Sequence, residues 1–214
     1  MGEYFDWVNV DKKEYLCPVD FDLGSKLHES MFKENDLLRA LRELLASDWK
    51  GCRVLFLGDE CEASGIPVEL YPLLPWRTEE PVCACYRNVS CLFKAAEEWV
   101  RKGIGCYLDA RDRKDDPVPN DYGIDVNDPY GGLFQREGKT FRYTLNHTKK
   151  LAYSLAETKI LFQNGTQSAS LDPLPLLLGC GRTADPGPWL GDLIGVADTL
   201  PSDYQLLPEI VLDW

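Results

Sequence analysis

Two stretches of the chain resemble each other, and this similarity constrains the possible fold more than any other sequence feature. Residues 7–16 (WVNVDKKEYL) and 143–155 (YTLNHTKKLAYSL) both place an aromatic residue, an apolar residue, Asn and Lys-Lys in the same order. At nearly equal distances beyond them, residues 48–60 and 188–200 both place Trp, one residue, Gly and an apolar run ahead of an acidic residue. This order predicts a tandem duplication of a unit of about 55–60 residues, present as two diverged copies.

Each copy is predicted to begin with a β-hairpin. In the first copy, aromatic and apolar residues at 5–8 and 14–16 flank a polar turn at 9–13. In the second copy, residues 141–145 and 151–155 flank an equivalent turn. Asn, Asp and Thr side chains favour such turns because they form hydrogen bonds with nearby backbone groups.

A helix and a strand are predicted to follow the first hairpin. Leucines between residues 37 and 45 recur on one helical face, and Asn35 or Asp36 is suited to cap that helix. Residues 53–57 then form an apolar strand. Prolines interrupt the leucine-rich run of the second copy, which limits it to a short helix that starts near Pro175.

A different region separates the two copies. Residues 91–102 place apolar side chains on one face of a helix, and Gly103 is predicted to end it. Residues 105–108 are predicted as a strand. Residues 109–132 are polar, acidic and interrupted by proline and glycine, which indicates a loop.

Together these elements predict an α+β fold, rich in β-structure, with two related ββ-(α)-β halves, an intervening amphipathic helix and an acidic loop. Residues 1–103 form the first half, with the helix at its end. Residues 104–139 form a strand and an acidic, Pro/Gly-rich connection, and residues 140–214 form the second, diverged half. The two halves are either separate units or one pseudo-symmetric domain.

The repeated sequence patterns also resemble those of a known protein family. The first copy contains Val8, Asn9, Asp11, Lys12, Lys13, Glu14 and Tyr15, and later Trp49, Gly51 and Val54. These residues resemble an uncharacterised microbial protein family with V-N-x-[TD]-K-[KR]-E-Y and W-x-G-D-x-[IV] patterns. Cys52 stands where the second pattern has Asp, whereas Asp192 keeps that acid in the second copy. The resemblance supports the domain organisation and implies no mechanism.

Charge and cysteine content restrict the partners and the compartment. Lys and Arg number 23 against 35 Asp and Glu, so the net charge is −12. Such a surface argues against nucleic acid and anionic membranes as partners. No apolar run is long enough to span a membrane, and residues 1–15 lack the features of a signal peptide, so we expect a cytoplasmic protein.

The eight cysteines are therefore expected to be reduced. Cys83, Cys85 and Cys91 lie close together but lack a second pair of ligands at a spacing typical of zinc sites. We predict no metal and no cofactor, while metal binding by these three cysteines stays open.

No catalytic residue is predicted. The chain has two histidines, His28 and His147, and neither lies in a recognisable nucleophile motif. The acidic pairs Asp59-Glu60 and Asp20/Asp22 are candidate carboxylates, but nothing in the sequence sets the separation that a hydrolase requires.

The two Lys-Lys turns are the candidate ligand-binding residues, because they concentrate cations in an acidic protein. If a pseudo-twofold axis relates the two halves, the two turns would flank one groove and bind an anion there. Alternatively the lysines serve only the turns, or pair with Asp59 and Asp192 within each unit. The predicted ligand-binding residues are Asn9, Lys12, Lys13, Asn146, Lys149 and Lys150.

The sequence favours a non-catalytic binding protein that blocks or sequesters a basic protein partner, such as an immunity protein or a phage-encoded defence inhibitor. The alternative is a small cytosolic hydrolase, or a protein that binds a small anion or nucleotide at the Lys-Lys turns. An inhibitor is expected to show a flat acidic surface bearing aromatics, with Trp7, Trp76 and Trp214 as candidates. An enzyme is expected to show a deep pocket with carboxylates of shifted pKa.

Overall fold

The computed structural model describes residues 2–61, 66–73, 82–113, 119–182 and 186–212, without the side chains of residues 73, 83 and 84. The fold is α+β, as the sequence predicts. Its strands and helices in chain order are β1 (Phe5–Asn9), β2 (Glu14–Leu16), α1 (Asp36–Ala46), β3 (Val54–Gly58), α2 (Val82–Cys85), β4 (Arg87–Asn88), α3 (Glu97–Arg113), β5 (Tyr143–Asn146), β6 (Leu151–Tyr153), β7 (Lys159–Phe162), α4 (Leu174–Leu177), β8 (Gly179–Cys180), β9 (Ile194–Ala197), β10 (Gln205–Leu206) and β11 (Glu209–Leu212).

Both predicted hairpins are present, and each belongs to its own sheet. The first sheet has the strand order β4-β2-β1-β3-β8 and the second has the order β10-β6-β5-β9. In both sheets the hairpin is antiparallel, a later antiparallel strand (β3 or β9) pairs with its first strand, and a short parallel strand (β4 or β10) pairs with its second. The two sheets therefore share one arrangement of four strands.

The strand registers agree as well. Asn9 lies opposite Val54, and Asn146 lies opposite Ile194. Beyond each Asn, the backbone N–H of Val10 donates to Arg53 and that of His147 donates to Leu193. The same positions have positive φ in both units: Lys13 (54°) and Lys150 (56°), Gly51 (73°) and Gly191 (83°).

The two units meet where equivalent residues pair. Arg53 and Leu193 form an isolated antiparallel bridge, and they immediately precede β3 and β9, respectively. An antiparallel pair of equivalent residues has a local twofold axis between its members. The local axis therefore lies between Arg53 and Leu193.

Helix α1 forms as predicted. Asn35 caps it, because its Oδ1 accepts a hydrogen bond from the backbone N–H of Leu38 at 2.7 Å. The leucine face of α1 is fully buried and contacts β9 of the second sheet. One hydrophobic core consequently contains residues from both units, including Trp7, Phe56, Tyr153 and Trp189.

Helix α3 differs from the prediction at both ends. Two 3-10 turns precede it, and it continues through residues 105–108, so the predicted strand there is wrong. Gly103 does not end the helix. A Cβ at that position would lie 2.8 Å from the hydroxyl of Tyr122, so glycine is required by close packing of the following loop.

The chain segment after β10 is tied into the fold. Strand β11 pairs with β7 in parallel, and Ile210 and Leu212 lie in the core.

The expectation that all cysteines are reduced is wrong for one pair, since Cys61 and Cys180 form a disulfide across 119 residues. Among the described helices, none has the length and apolar character needed to cross a membrane.

Candidate functional site

The two hairpin turns are closed in the same way. The Oδ1 atom of Asn9 accepts hydrogen bonds from the backbone N–H groups of Asp11 (3.1 Å) and Lys12 (3.0 Å). The Oδ1 atom of Asn146 accepts the corresponding bond from the backbone of Lys149 at 2.9 Å. Both Asn side chains are fully buried. Each has its oxygen committed to the turn, so that Nδ2 is left to donate to another group.

In the second turn, that donor and both lysines have acidic partners. Asn146 Nδ2 donates to Asp192 Oδ2 at 2.7 Å, and Lys149 Nζ lies 2.8 Å from the same oxygen. Lys150 pairs with Asp203 at 3.0 Å, and this contact raises the pKa of the lysine and lowers that of the acid. The second turn therefore uses its cations within its own unit, which is the structural alternative that the sequence left open.

The first turn lacks these partners. Asn9 Nδ2 is buried and has no acceptor among the described residues. Lys12 and Lys13 are exposed and form no side-chain ion pair or hydrogen bond with any residue that the structure describes. Cys52 occupies the position that Asp192 has in the second unit, by the shared register of β3 and β9. The two turns thus have the same backbone but different charge balance.

Other charges beside the first turn are neutralised. Asp11 pairs with Arg53, whose Nε donates to its Oδ1 at 3.0 Å. Burial would raise the pKa of Asp11, but the hydrogen bonds from Arg53 outweigh it and lower that pKa. Asp59, the expected partner of the lysines, instead accepts the backbone N–H of Tyr4 at 2.9 Å.

The structure brings Asn9 together with Lys12, and Asn146 with Lys149. Within the described part of the chain, no hydrogen bond or ion pair joins the lysines of the first turn to the second turn. A groove shared by both turns stays a prediction.

An acidic cluster beside the first hairpin was not predicted. Burial, followed by the charges of Asp20, Asp59 and Asp121, raises the pKa of Asp6 to about 7, although a hydrogen bond from Cys17 opposes the shift. Burial likewise raises the pKa of Asp20. The sequence signal for this site is the position of Asp6 in β1, on the strand face that also carries buried valines.

Hydroxyl and amide donors hold the cluster in place. Tyr15 donates to Asp121 Oδ2 at 2.6 Å, and Tyr122 donates to Asp20 Oδ1 at 3.0 Å. Asn88 Nδ2 donates to Asp20 Oδ2 at 2.8 Å. Burial raises the pKa of both tyrosines, so they act as hydrogen-bond donors. These contacts join β2, the 3-10 turn after it and β4 to the loop after α3. Cavities of about 240 and 310 Å³ lie beside Asp121.

A second buried polar group joins α1 to the second unit. Arg42 and Asp172 form a salt bridge with almost no exposure, and Tyr153 donates to Asp172 Oδ1 at 2.7 Å. Breaking such a pair leaves an uncompensated buried charge, which is strongly destabilising. We assign this triad to the packing of the two units.

Of the three tryptophans that the sequence suggests as exposed, the structure describes only Trp7. Trp7 is fully buried in the core, because its strand face packs against Phe56. Trp76 and Trp214 lie outside the described residues. Among the described tryptophans, Trp99 on α3 is exposed, at 38%.

Trp99 lies on α3, and an acidic segment with an exposed aromatic ring follows in the loop after that helix. Helix α3 contacts the loop after it through Arg101, whose guanidinium lies 4.5 Å from the ring centre of the exposed Tyr130. Asp125 and Asp128 of this loop are exposed and form no ion pair with a described residue. We call these five residues the α3–loop surface.

The cations of this region are matched by acids, so the loop acids give the region an excess of negative charge. The pairs are Arg101–Glu97, Lys102–Glu98, Lys94–Glu137 and Arg136–Asp48.

The described residues contain no group of three metal-ligand side chains. Cys91 is buried, and burial raises the pKa of its thiol to about 12; the side chain of Cys83 lies outside the description. The chain matches no family model, no curated protein and no solved structure.

Proposed function

We propose that this protein is a non-catalytic binding protein that blocks or sequesters a basic protein partner through the α3–loop surface. The observation that carries the proposal is an exposed aromatic ring, that of Tyr130, in the same loop as two exposed carboxylates that form no ion pair with a described residue. Asp125 and Asp128 lie in the same loop as Tyr130, and that ring contacts α3 through Arg101.

The charge of the whole chain favours such a partner. A net charge of −12 attracts a basic protein over several ångströms and accelerates its association. At the interface, a lysine- or arginine-rich patch of the partner would form ion pairs with the two loop carboxylates. Neither carboxylate has to break an ion pair with a described residue to do so. An immunity protein or a phage-encoded inhibitor of a defence system is the kind of protein that works in this way.

The aromatic residues suit the centre of an interface. Tryptophan and tyrosine are enriched among the interface residues that contribute most of the binding free energy. Trp99 and Tyr130 are each 38% exposed. Both rings already form a cation–π contact with a residue of α3. The ammonium group of Lys102 lies over the Trp99 ring, and the guanidinium of Arg101 lies over the Tyr130 ring. Cationic groups of a partner would use the same ring faces or edges.

We also propose that both units derive from one duplicated ancestor. The shared strand order, the matched positive-φ residues and the bridge between Arg53 and Leu193 support this history. On this view the α3–loop surface, which lies between the copies in the chain, is an insertion that carries the binding function.

The test is native mass spectrometry of the protein purified from its own host, followed by titration of the co-purified partner. We expect a basic partner whose affinity falls about tenfold or more in Trp99→Ala and in the double variant Asp125→Asn/Asp128→Asn. Higher salt should weaken the complex.

Asp198→Asn is the matched control, because Asp198 is an exposed carboxylate of the second unit, outside the α3–loop surface. It should bind the partner as the wild type does. An acidic partner, or full affinity in both the Trp99 and the Asp125/Asp128 variants, would contradict the proposal.

A further inference from the structure

The buried amide of Asn9 identifies a second, separate site. Its Oδ1 atom accepts two backbone N–H groups of the turn, which sets the orientation of the carboxamide. Its Nδ2 atom is buried and has no acceptor among the described residues. Buried amide donors are nearly always hydrogen-bonded, so an orphaned one calls for an explanation.

The second unit shows which acceptor this position uses. There the equivalent Asn146 Nδ2 donates to one carboxylate oxygen of Asp192, and Lys149 Nζ contacts the same oxygen at 2.8 Å. A single carboxylate is thus held by a buried amide and an ammonium group. The first unit keeps both donors, as Asn9 and Lys12, but has Cys52 in place of the acid.

Cys52 does not replace the missing oxygen. A thiol sulfur is a weak acceptor and carries no charge in its protonated form. The side chain of cysteine also ends one atom beyond Cβ, whereas that of aspartate extends to two oxygens. The amide of Asn9 and the exposed ammonium of Lys12 therefore share no protein carboxylate.

The surroundings of the two turns differ in access. A Cβ on Gly191, beside Asp192, would lie 3.2 Å from Leu70 and 3.5 Å from Pro67. A Cβ on Gly51, beside Cys52, would meet no atom of a described residue within 4 Å. Pro67 and Leu70 therefore pack against Gly191, whereas no described residue packs over Gly51, which is exposed.

We propose that the first hairpin turn is a binding site for a carboxylate, which takes the place that the Asp192 carboxylate has in the second unit. Asn9 Nδ2 and the Lys12 ammonium donate to one of its oxygens, and the opening beside Gly51 admits the rest of the ligand. Lys50, exposed next to Gly51, adds positive charge at the entrance. The site is independent of the α3–loop surface and of the partner proposed for it.

Nuclear magnetic resonance of the Asn side-chain amides tests this site directly. The intact protein is titrated with sodium acetate at constant ionic strength, using sodium chloride as the balancing salt. We expect a saturable shift of the Asn9 side-chain amide signals. The Asn146 amide signals should stay in place, because Asp192 already occupies the equivalent position.

Two variants and one control sharpen the result. Cys52→Asp supplies the protein's own carboxylate and should abolish the acetate response. Lys12→Met should weaken the response at least tenfold. Lys13→Met is the matched control, since its equivalent, Lys150, contacts Asp203 and not Asp192; it should respond as the wild type does.

Two further titrations distinguish a polypeptide C-terminus from a small carboxylate as the ligand. One uses a short peptide with a free C-terminus, and the other uses the same peptide with an amidated C-terminus. Tighter binding of the free peptide than of acetate, lost on amidation, assigns the site to a polypeptide terminus. Equal or weaker binding of the peptide assigns it to a small carboxylate.

A shift of Asn9 that is linear in acetate, that persists in Cys52→Asp, or that Asn146 shares would overturn the proposal. An unchanged response in Lys12→Met would do the same.

Discussion

The two hairpin turns have the same backbone, yet the environment of the buried Asn differs between them. Asn146 and Lys149 converge on Asp192, whereas Asn9 and Lys12 have Cys52 at that position. The backbone is set by the Asn oxygen and by strand pairing, which both turns share. One side chain, two residues before β3 or β9, therefore decides whether the donors of the turn have a carboxylate acceptor among the described residues.

The same contrast extends to what surrounds each turn. The second turn also has Asp203 and Tyr204 around Lys150, and the segment at 67–70 covers Gly191. No described residue packs over Gly51, its counterpart in the first unit. A unit whose donors are satisfied serves the fold, and an otherwise matching unit with unsatisfied donors is free to bind a ligand.

The largest effect is expected when the second turn is made to resemble the first. Asp192→Ala leaves the buried amide of Asn146 and the ammonium of Lys149 without their acceptor, so we expect it to lower the free energy of unfolding by about 3 kcal/mol. Denaturant unfolding followed by tryptophan fluorescence measures this. Asp203→Ala removes only an exposed pair and should leave the midpoint unchanged. A loss of less than about 1 kcal/mol for Asp192→Ala would contradict the assigned role.

The pH dependence of stability should trace to the first sheet, where Asp6 occupies the position of Tyr143. Asp6 has a pKa of about 7 in the folded protein, against an ordinary value of 3.8. Between these values the unfolded chain binds fewer protons than the folded one, so the free energy of unfolding falls as pH rises from about 4 to 7 and levels off above. We expect a fall of about 2 kcal/mol, since partial exposure of Asp6 reduces it.

Asp6→Asn should remove this fall, because an amide does not titrate. The measurement is the difference in unfolding free energy between the variant and the wild type from pH 4 to pH 8. The groups that face Asp6 are Cys17, Asp20, Asp59 and Asp121, and they remain in both proteins. A difference that is constant across this range would show that Asp6 does not titrate there.

The two Asn residues should respond differently to the same truncation. Asn146→Ala and Asn9→Ala both remove the oxygen that closes the turn. Asn146→Ala also removes the buried amide that donates to Asp192. Asn9→Ala removes an amide that has no acceptor among the described residues. We therefore expect Asn146→Ala to cost about 1–2 kcal/mol more than Asn9→Ala, measured by the same unfolding method. Equal costs would mean that the Nδ2 atoms have equivalent environments.

The smallest effect should come from repairing the first turn. Cys52→Asp gives Asn9 and Lys12 the acceptor that their equivalents have, and we expect about 1 kcal/mol of added stability after the cost of burying the charge. Cys52→Ala is the control, because it removes the thiol without adding an oxygen, and it should not stabilise the protein. Destabilisation by Cys52→Asp would show that the first turn does not position its donors as the second does.

The hairpins, helix α1 and the strand after it were predictable because their signals are local. A polar turn between apolar strands, a leucine face with an Asn cap, and a short apolar run each act within a few residues. The strand predicted at 105–108 failed for the opposite reason. Gly103 was interpreted as a helix end, but the helix continues past it, and the hydroxyl of Tyr122 from the loop after α3 packs against this glycine.

The sequence by itself determined the two turns, their Asn and Lys-Lys residues, and the substitution of Cys52 for the acid at the position of Asp192. It did not determine that Asn146 and Lys149 meet that acid, because the contact spans 46 residues and depends on the pairing of β5 with β9. Nor did it determine the acidic cluster, whose members Asp6, Asp20 and Asp121 come from three separate segments. Burial and charge proximity act through space, so only the tertiary structure decides which donors are satisfied and which carboxyls change their pKa.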